Sequence, residues 1–210
     1  MKGLFITLEG PDGSGKSTII ELIGNYLQEK GIEFILTREP GGTLIGEEIR
    51  TIILDEKNTN MGDETEALLY AASRGQHIHE KILPALEEGK LVLCDRFLLS
   101  SLAYQGVGRE LGIDRVKAIN DFAIRGVYPD LILFFHIDPE VTLERKTANL
   151  GGDRLEQEGA GFHRKVYDGY MELLEKYPEN IKIIDARKSI EEVLSESIKE
   201  VEKLLKNKGD

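Results

Sequence analysis

At 210 residues the chain suits one domain with a buried core, alone or with a small mobile insertion, and does not suit two full domains. With 40% hydrophobic and 31% charged residues, and neither a low-complexity tract nor a solenoid-period repeat, it has the make-up of an ordinary soluble globular protein. A formal net charge of -11 disfavours nucleic-acid and anionic membrane surfaces, which would repel it before contact, yet leaves room for a small anion met by locally gathered cations.

The opening MKGLFITLEG carries a short apolar run cut off by Glu9, too brief for a signal peptide or a membrane span, so a cytoplasmic setting is expected. That run, Leu4–Leu8, reads as a first strand. Residues Ile19, Ile23, Tyr26 and Leu27 then recur at helical spacing up to Lys30-Gly31, where glycine supplies a left-handed cap. Further strands follow at Ile32–Leu36, Leu91–Cys94, Leu131–Ile137 and Ile181–Ile184, and Glu64 to Glu88 has one long helical pattern. Continuous apolarity in the strands predicts burial on both faces of a parallel sheet. The β-α alternation predicts a doubly wound α/β fold.

In such sheets ligands sit at the carboxyl ends of the strands, here marked by Glu9, Arg38-Glu39, Asp95-Arg96, Asp138 and Asp185. One cysteine, Cys94, excludes an internal disulfide, no Cys/His cluster has zinc spacing, and the four scattered histidines read as structural or solvent-facing.

Between the first strand and the first helix lies LEGPDGSGKST, Leu8 to Thr18. Gly10-Pro11-Asp12-Gly13-Ser14-Gly15-Lys16-Ser17 fits G-x-x-x-x-G-K-[ST] in the strand-loop-helix context that motif requires. Glycines let successive N–H groups turn inward, and the following helix terminus adds partial positive charge, making a polyphosphate cradle. Lys16 is expected to reach the β and γ phosphates and the Ser17 hydroxyl to bind Mg²⁺. The dinucleotide pattern G-x-G-x-x-G is absent from the loop. The tail NKGD imitates a guanine-reading motif but follows a charged helix instead of a buried strand.

The same loop together with REPGGT (Arg38 to Thr43), ASRGQH (Ala72 to His77), DRF (Asp95 to Phe97), AYQGVGR (Ala103 to Arg109) and DRLEQEG (Asp153 to Gly159), in this order, resembles the thymidylate kinase family. The resemblance implies a P-loop kinase fold with a five-stranded parallel sheet, a homodimer, and transfer of the ATP γ-phosphoryl group to dTMP. It implies that Gly10 to Thr18 hold ATP and that Asp12 accepts a hydrogen bond from the acceptor sugar's 3′-hydroxyl. Arg96 would hold the acceptor phosphate, Asp95 would order Mg²⁺ through water, and Arg38 would screen charge between donor and acceptor beside a cis Glu39-Pro40 bond. Tyr70 and Arg74, four apart on one helix face, would stack on the pyrimidine and donate to its O4. Ser101, Tyr104 and Gln105 would complete the acceptor site, with Tyr104 crowding the sugar's 2′ carbon.

Some members of that family carry an arginine in the phosphate loop, where this chain has Gly13. The cation for the migrating phosphoryl group is therefore expected from a lid at about residues 145–158: Arg154 first, then Arg145, with Lys146 as a further candidate and Gly151-Gly152 as a hinge. Thr147 and Asn149 stand where some bacterial members have arginines. Two readings remain beside this one: another phosphate-loop nucleoside or nucleoside monophosphate kinase, and a nucleotide-binding module without catalysis, against which Lys16, Ser17, Asp95 and Arg96 all speak.

Overall fold

Five parallel strands form one sheet in the order β2-β3-β1-β4-β5, with β1 (Leu4–Glu9) central and buried throughout. The computed structural model describes residues 3–138, 141 and 153–208. The other strands are β2 (Phe34–Arg38), β3 (Leu91–Asp95), β4 (Leu131–His136) and β5 (Ile181–Asp185). β1 pairs with β3 (Leu4 opposite Leu91) and with β4 (Ile6 opposite Leu131), so all strand ends point to one edge. The expectation that every strand is buried on both faces fails at β2 and β5. These are the sheet's two edges, where the helical layers leave Leu36 and Ile183 exposed.

Successive β1 residues face opposite layers, as a strand's period of two requires. Ile6 and Leu8 join Ile19, Ile23 and Leu27 of α1 (Lys16–Glu29) and Val193 and Val201 of α8 (Ile190–Lys208). Phe5 faces the other layer, with Ile78, Val92 and Phe97. That layer holds α2 (Leu44–Leu54), α3 (Asp63–His77), α4 (Leu83–Glu87), α5 (Leu98–Ser101), α6 (Ile113–Ile124) and α7 (Ala160–Lys176). No helix among the described residues is long and apolar enough to cross a membrane.

The single helix expected over Glu64 to Glu88 is divided. α3 passes through a π-helical turn, Ile78–Ile82, into α4, and the Leu83 N–H reaches back to the Ile78 carbonyl. Pro84 accounts for the break, since it has no N–H for the residue-80 carbonyl and its ring crowds that carbonyl. A second π-helical segment, Leu102–Gly108, continues α5 and carries Tyr104 and Gln105. α7 packs so closely on it that a Cβ on Gly169 would lie 2.8 Å from the Val107 Cβ.

Candidate active site

The phosphate loop owes its course to glycine. Gly10, Gly13 and Gly15 have φ of 134°, 76° and 88°, torsions closed to most L side chains. At Gly10 space matters as well, because a Cβ there would sit 2.6 Å from the Phe135 carbonyl oxygen of β4. α1 starts at Lys16 without a side-chain cap. Lys16 folds back into the loop, its Nζ donating to Gly10 O (3.0 Å), Pro11 O (2.8 Å) and Ser14 Oγ (3.2 Å). Burial, reinforced by the Arg96 charge, brings its pKa down to about 8. The ammonium is thus held in a cradle of neutral acceptors.

Ser17 Oγ donates to Asp95 Oδ2 over 3.0 Å, and Asp95 Oδ1 is buried with no hydrogen-bond partner. A hydroxyl and a carboxylate with an unused oxygen fit a Mg²⁺ ion, which takes few protein ligands and completes its shell with water and phosphate. Among the described residues no cluster of three or more His, Cys, Asp or Glu suits an all-protein metal cage.

Beside the loop opens a cavity of about 240 Å³. Its phosphate end is walled by Asp12, Ser17, Arg38, Asp95 and Arg96, and its far end by Tyr70, Arg74, Ser101, Tyr104 and Gln105. Every expected acceptor-site residue therefore lies on one wall or the other. Arg96 has a left-handed backbone, φ 65°, which turns its side chain out of the β3 line. Its Nη1 donates to Gly10 O and Ser100 Oγ (both 2.9 Å) and to Tyr170 OH (3.2 Å), and its Nη2 donates to Asp12 Oδ1. The other Asp12 oxygen accepts from Tyr104 OH at 2.8 Å. Burial, with Asp12 beside it, pushes the Tyr104 phenol well above its ordinary pKa, so it stays a neutral donor. Arg38, at the cavity's rim, forms a bidentate pair with Glu47 (2.9 and 3.1 Å).

The far end is a buried side-chain network. Arg74, 2% exposed, donates from Nε to Glu39 Oε2 (2.7 Å), from Nη1 to Ser101 Oγ (3.0 Å) and Asn120 Oδ1, and from Nη2 to Phe97 O (2.9 Å). Glu39, which precedes a cis Glu39-Pro40 bond, also pairs with His77 Nδ1 at 3.0 Å. His77 Nε2 lies 2.7 Å from Thr37 Oγ1. Arg74 is held at both sides before any ligand arrives.

Glu66, 1% exposed, is the other buried carboxylate here. It accepts from Gln105 Nε2 (2.9 Å), from Arg109 Nε (3.3 Å) and Nη2 (3.0 Å), and from Arg154 Nη2 (2.5 Å). Burial alone would raise its pKa, but the bonds from Arg109, Gln105 and Arg154 outweigh that and hold it below the ordinary carboxylate value. Gln105 turns its Nε2 to Glu66 and leaves Oε1 buried without a partner.

Arg154 stands differently from its expected place over the transferring phosphate. It is not among the cavity's walls; besides Glu66 it binds the Ile53 carbonyl from Nε at 2.9 Å. The buried Glu66 carboxylate draws it to the far end of the cavity. Its neighbours Asp153, Leu155 and Glu156 do line the cavity. Arg145, Lys146 and Gly151-Gly152 lie outside the described residues. Of the charged strand ends, Arg38, Glu39, Asp95 and Arg96 reach the cavity wall, whereas Glu9 is buried behind it, accepting from Phe97 N and Ser100 Oγ. Asp185 pairs with Arg187 at the surface.

Glu66, Arg50, Ser100, Asn120 and Tyr170 were not singled out from sequence, and Glu39 was read only as a charged strand end before the expected cis bond. Glu66 had a signal: it lies four and eight residues before Tyr70 and Arg74, on their helix face. Asn120 and Tyr170 had none, because α6 and α7 bring them in from far along the chain.

Over residues 8–197 the chain matches the family model described as thymidylate kinase. It is 61% identical over 195 residues to a thymidylate kinase of Finegoldia magna, covering 93% of this chain and 96% of that protein. A thymidylate kinase of Clostridium novyi is 55% identical over 197 residues, again 93% and 96% of the two chains. The crystal structure of thymidylate kinase from Ehrlichia chaffeensis superposes with a TM-score of 0.78 at 34% identity, covering 96% of this chain and 99% of that one. A glycine loop closed on a buried lysine, its own Asp12 paired with Arg96 across the cavity, and these likenesses along nearly the whole chain place the protein in the thymidylate kinase family.

Proposed function

We propose that the protein is an ATP-dependent nucleoside monophosphate kinase that transfers the γ-phosphoryl group of ATP to dTMP, giving dTDP and ADP. The observation that carries this reading is one shared element: Asp12, inside the phosphate loop, is bonded to Arg96 and Tyr104 on the acceptor cavity's wall, so donor and acceptor sites meet at a single side chain.

In this mechanism the loop amides and Lys16 hold the β and γ phosphates, while the Arg96 fork holds the acceptor phosphate in line. A dTMP phosphate oxygen forms the new bond to the γ-phosphorus as the bond to the ADP β-phosphate oxygen breaks. Mg²⁺, when bound through Ser17 and the water-linked Asp95 carboxylate, supplies charge neutralisation on the phosphates. Asp12 takes the sugar 3′-hydroxyl, Tyr104 crowds the 2′ position, and Arg38 screens charge at the rim. At the base end Tyr70 stacks, Arg74 with Ser101 meets O4, and the unpartnered Gln105 Oε1 accepts from the thymine N3–H. With Arg154 engaged by Glu66, we assign the cation over the migrating phosphoryl group to Arg145, with Lys146 second, and give Arg154 the role of anchoring the lid's returning arm.

A homodimer belongs to this reading. α2, α3 and α6 carry exposed Ile45, Ile52, Leu68 and Phe122, the last 89% exposed, an apolar set suited to a second copy. So does a cytoplasmic setting, where ATP and dTMP are available. The test is a coupled ADP-release assay with ATP and dTMP, dUMP, dCMP or dGMP. ADP release that requires an acceptor, is strongest with dTMP and is weakest with dCMP and dGMP is expected. Release indifferent to the acceptor, or none with any of them, would sink the assignment and favour another kinase or an inactive nucleotide-binding module.

A further inference from the structure

Gln105 poses a question that its own hydrogen bonds answer. A primary amide has a donor end and an acceptor end of nearly equal size, so without constraint it can turn over to suit whichever base edge it meets. Thymine presents a donor, N3–H, at that edge; cytosine presents an acceptor, the bare N3. An amide free to flip would serve both.

It is not free here. Glu66, buried, ionised and without hydrogens, has only acceptors to offer, so Gln105 must turn Nε2 toward it, at 2.9 Å. The carboxylate is itself immobilised by Arg109, which donates from both Nε and Nη2, and by Arg154. Arg109 is in turn tied to Glu158 at 2.6 Å. The consequence is Oε1, a carbonyl oxygen buried without a partner on a residue of the cavity wall.

We propose that Glu66 is a specificity-determining positioning residue: its carboxylate locks the Gln105 amide with the carbonyl toward the base, so that the site accepts a pyrimidine bearing N3–H and refuses one bearing a bare N3. The inference rests on the acceptor reading above and deepens it. Glu66 acts through Gln105 and contacts no substrate atom itself. Refusal comes from two lone pairs facing each other in a buried site, a mismatch that no water can relieve. Arg74 guards the neighbouring O4 position independently, held by Glu39 and not by Glu66.

The decisive variant is Glu66→Gln in the full-length protein. A glutamine at this position can either donate or accept, so Gln105 regains its freedom to flip. Steady-state kinetics with ATP and either dTMP or dCMP give the ratio of the two kcat/KM values. We expect the preference for dTMP to narrow by about tenfold, with the dTMP loss lying mainly in KM. In a Gln105→Leu background the same change should leave the ratio where Gln105→Leu alone has put it. Parallel losses for both nucleotides, or a ratio that narrows further in the double variant, would overturn the proposal, because a merely structural role lowers both substrates alike. Should Glu66→Gln not fold, judged by thermal melting, Glu66→Asp draws the carboxylate back from Gln105 and is read by the same ratio. Wild-type protein that fails to prefer dTMP over dCMP would refute the acceptor reading itself. A wild-type preference with an unmoved Glu66→Gln ratio refutes only the role of Glu66.

Discussion

The phosphate loop draws its shape from torsions and carbonyls between Gly10 and Ser17, and Lys16 is satisfied entirely by residues two to six positions away. The far end of the cavity is assembled instead from side chains that meet only in the folded molecule: Arg74 finds its partners 23 to 46 residues away in Glu39, Phe97, Ser101 and Asn120. The first region is a backbone device, tolerant of changes elsewhere and intolerant of a Cβ. The second is a set of mutually dependent charges, where binding and folding share the same hydrogen bonds. Damage should therefore separate cleanly into lost chemistry at one end and lost stability at the other.

The largest expected effect comes from Lys16→Ala, which on the proposed mechanism removes the charge that holds the β and γ phosphates and should lower turnover by at least about 10³-fold. Because it also relieves a buried ammonium, the thermal midpoint should hold or rise. A melt that drops steeply would contradict the division. At the other end, Arg74→Met leaves Glu39 buried with only His77 beside it and should cost about 3–5 kcal/mol in chemical denaturation. ATP binding by the surviving folded protein should stay at the wild-type level; a weakened ATP site would mean that the two ends are energetically one.

A pH series sharpens the same contrast. Lys16 has a pKa of about 8 in the folded protein against an ordinary value of 10.5. Below about pH 8 its burial cost is present in full, since both states carry the proton. Between about 8 and 10.5 the folded protein releases a proton that the unfolded chain keeps, so this residue's contribution to stability rises with pH, by about 3 kcal/mol. The difference between wild type and Lys16→Met should show that slope, and a flat difference would refute it. The smallest effect is expected at Thr43, which caps α2 by accepting from Gly46 N at 3.1 Å and lies off the cavity. Thr43→Ala should cost about 1 kcal/mol by denaturation and leave turnover untouched.

Legibility followed the same line. The strands, α1 and the phosphate loop could be read from apolar runs and a contiguous motif, and their positions differ from expectation by a residue or two at the ends. Pro84 was visible, yet the π-turn it imposes on the long helix was not anticipated, because a pattern of apolar spacing does not register one extra residue in a turn. The far end of the cavity was legible only in its wall residues Tyr70, Arg74, Ser101, Tyr104 and Gln105. Glu39 looked like one more charge at a strand end, and Arg154 like the lid cation for the migrating phosphoryl group, although one buries against Arg74 and the other against Glu66.

By itself the amino-acid order determined the β-α alternation, the edge of the sheet where ligands meet the chain, and the glycine loop, since each depends on torsions and contacts among near neighbours. Only the tertiary structure decided which carboxylate holds which arginine, that Asp12 bonds across to Arg96 and Tyr104, and that Gln105 turns its Nε2 to Glu66 and leaves Oε1 buried without a partner. The reason is electrostatic: a charge removed from water must find its counter-charge in space, and sequence separation places no limit on where that partner comes from.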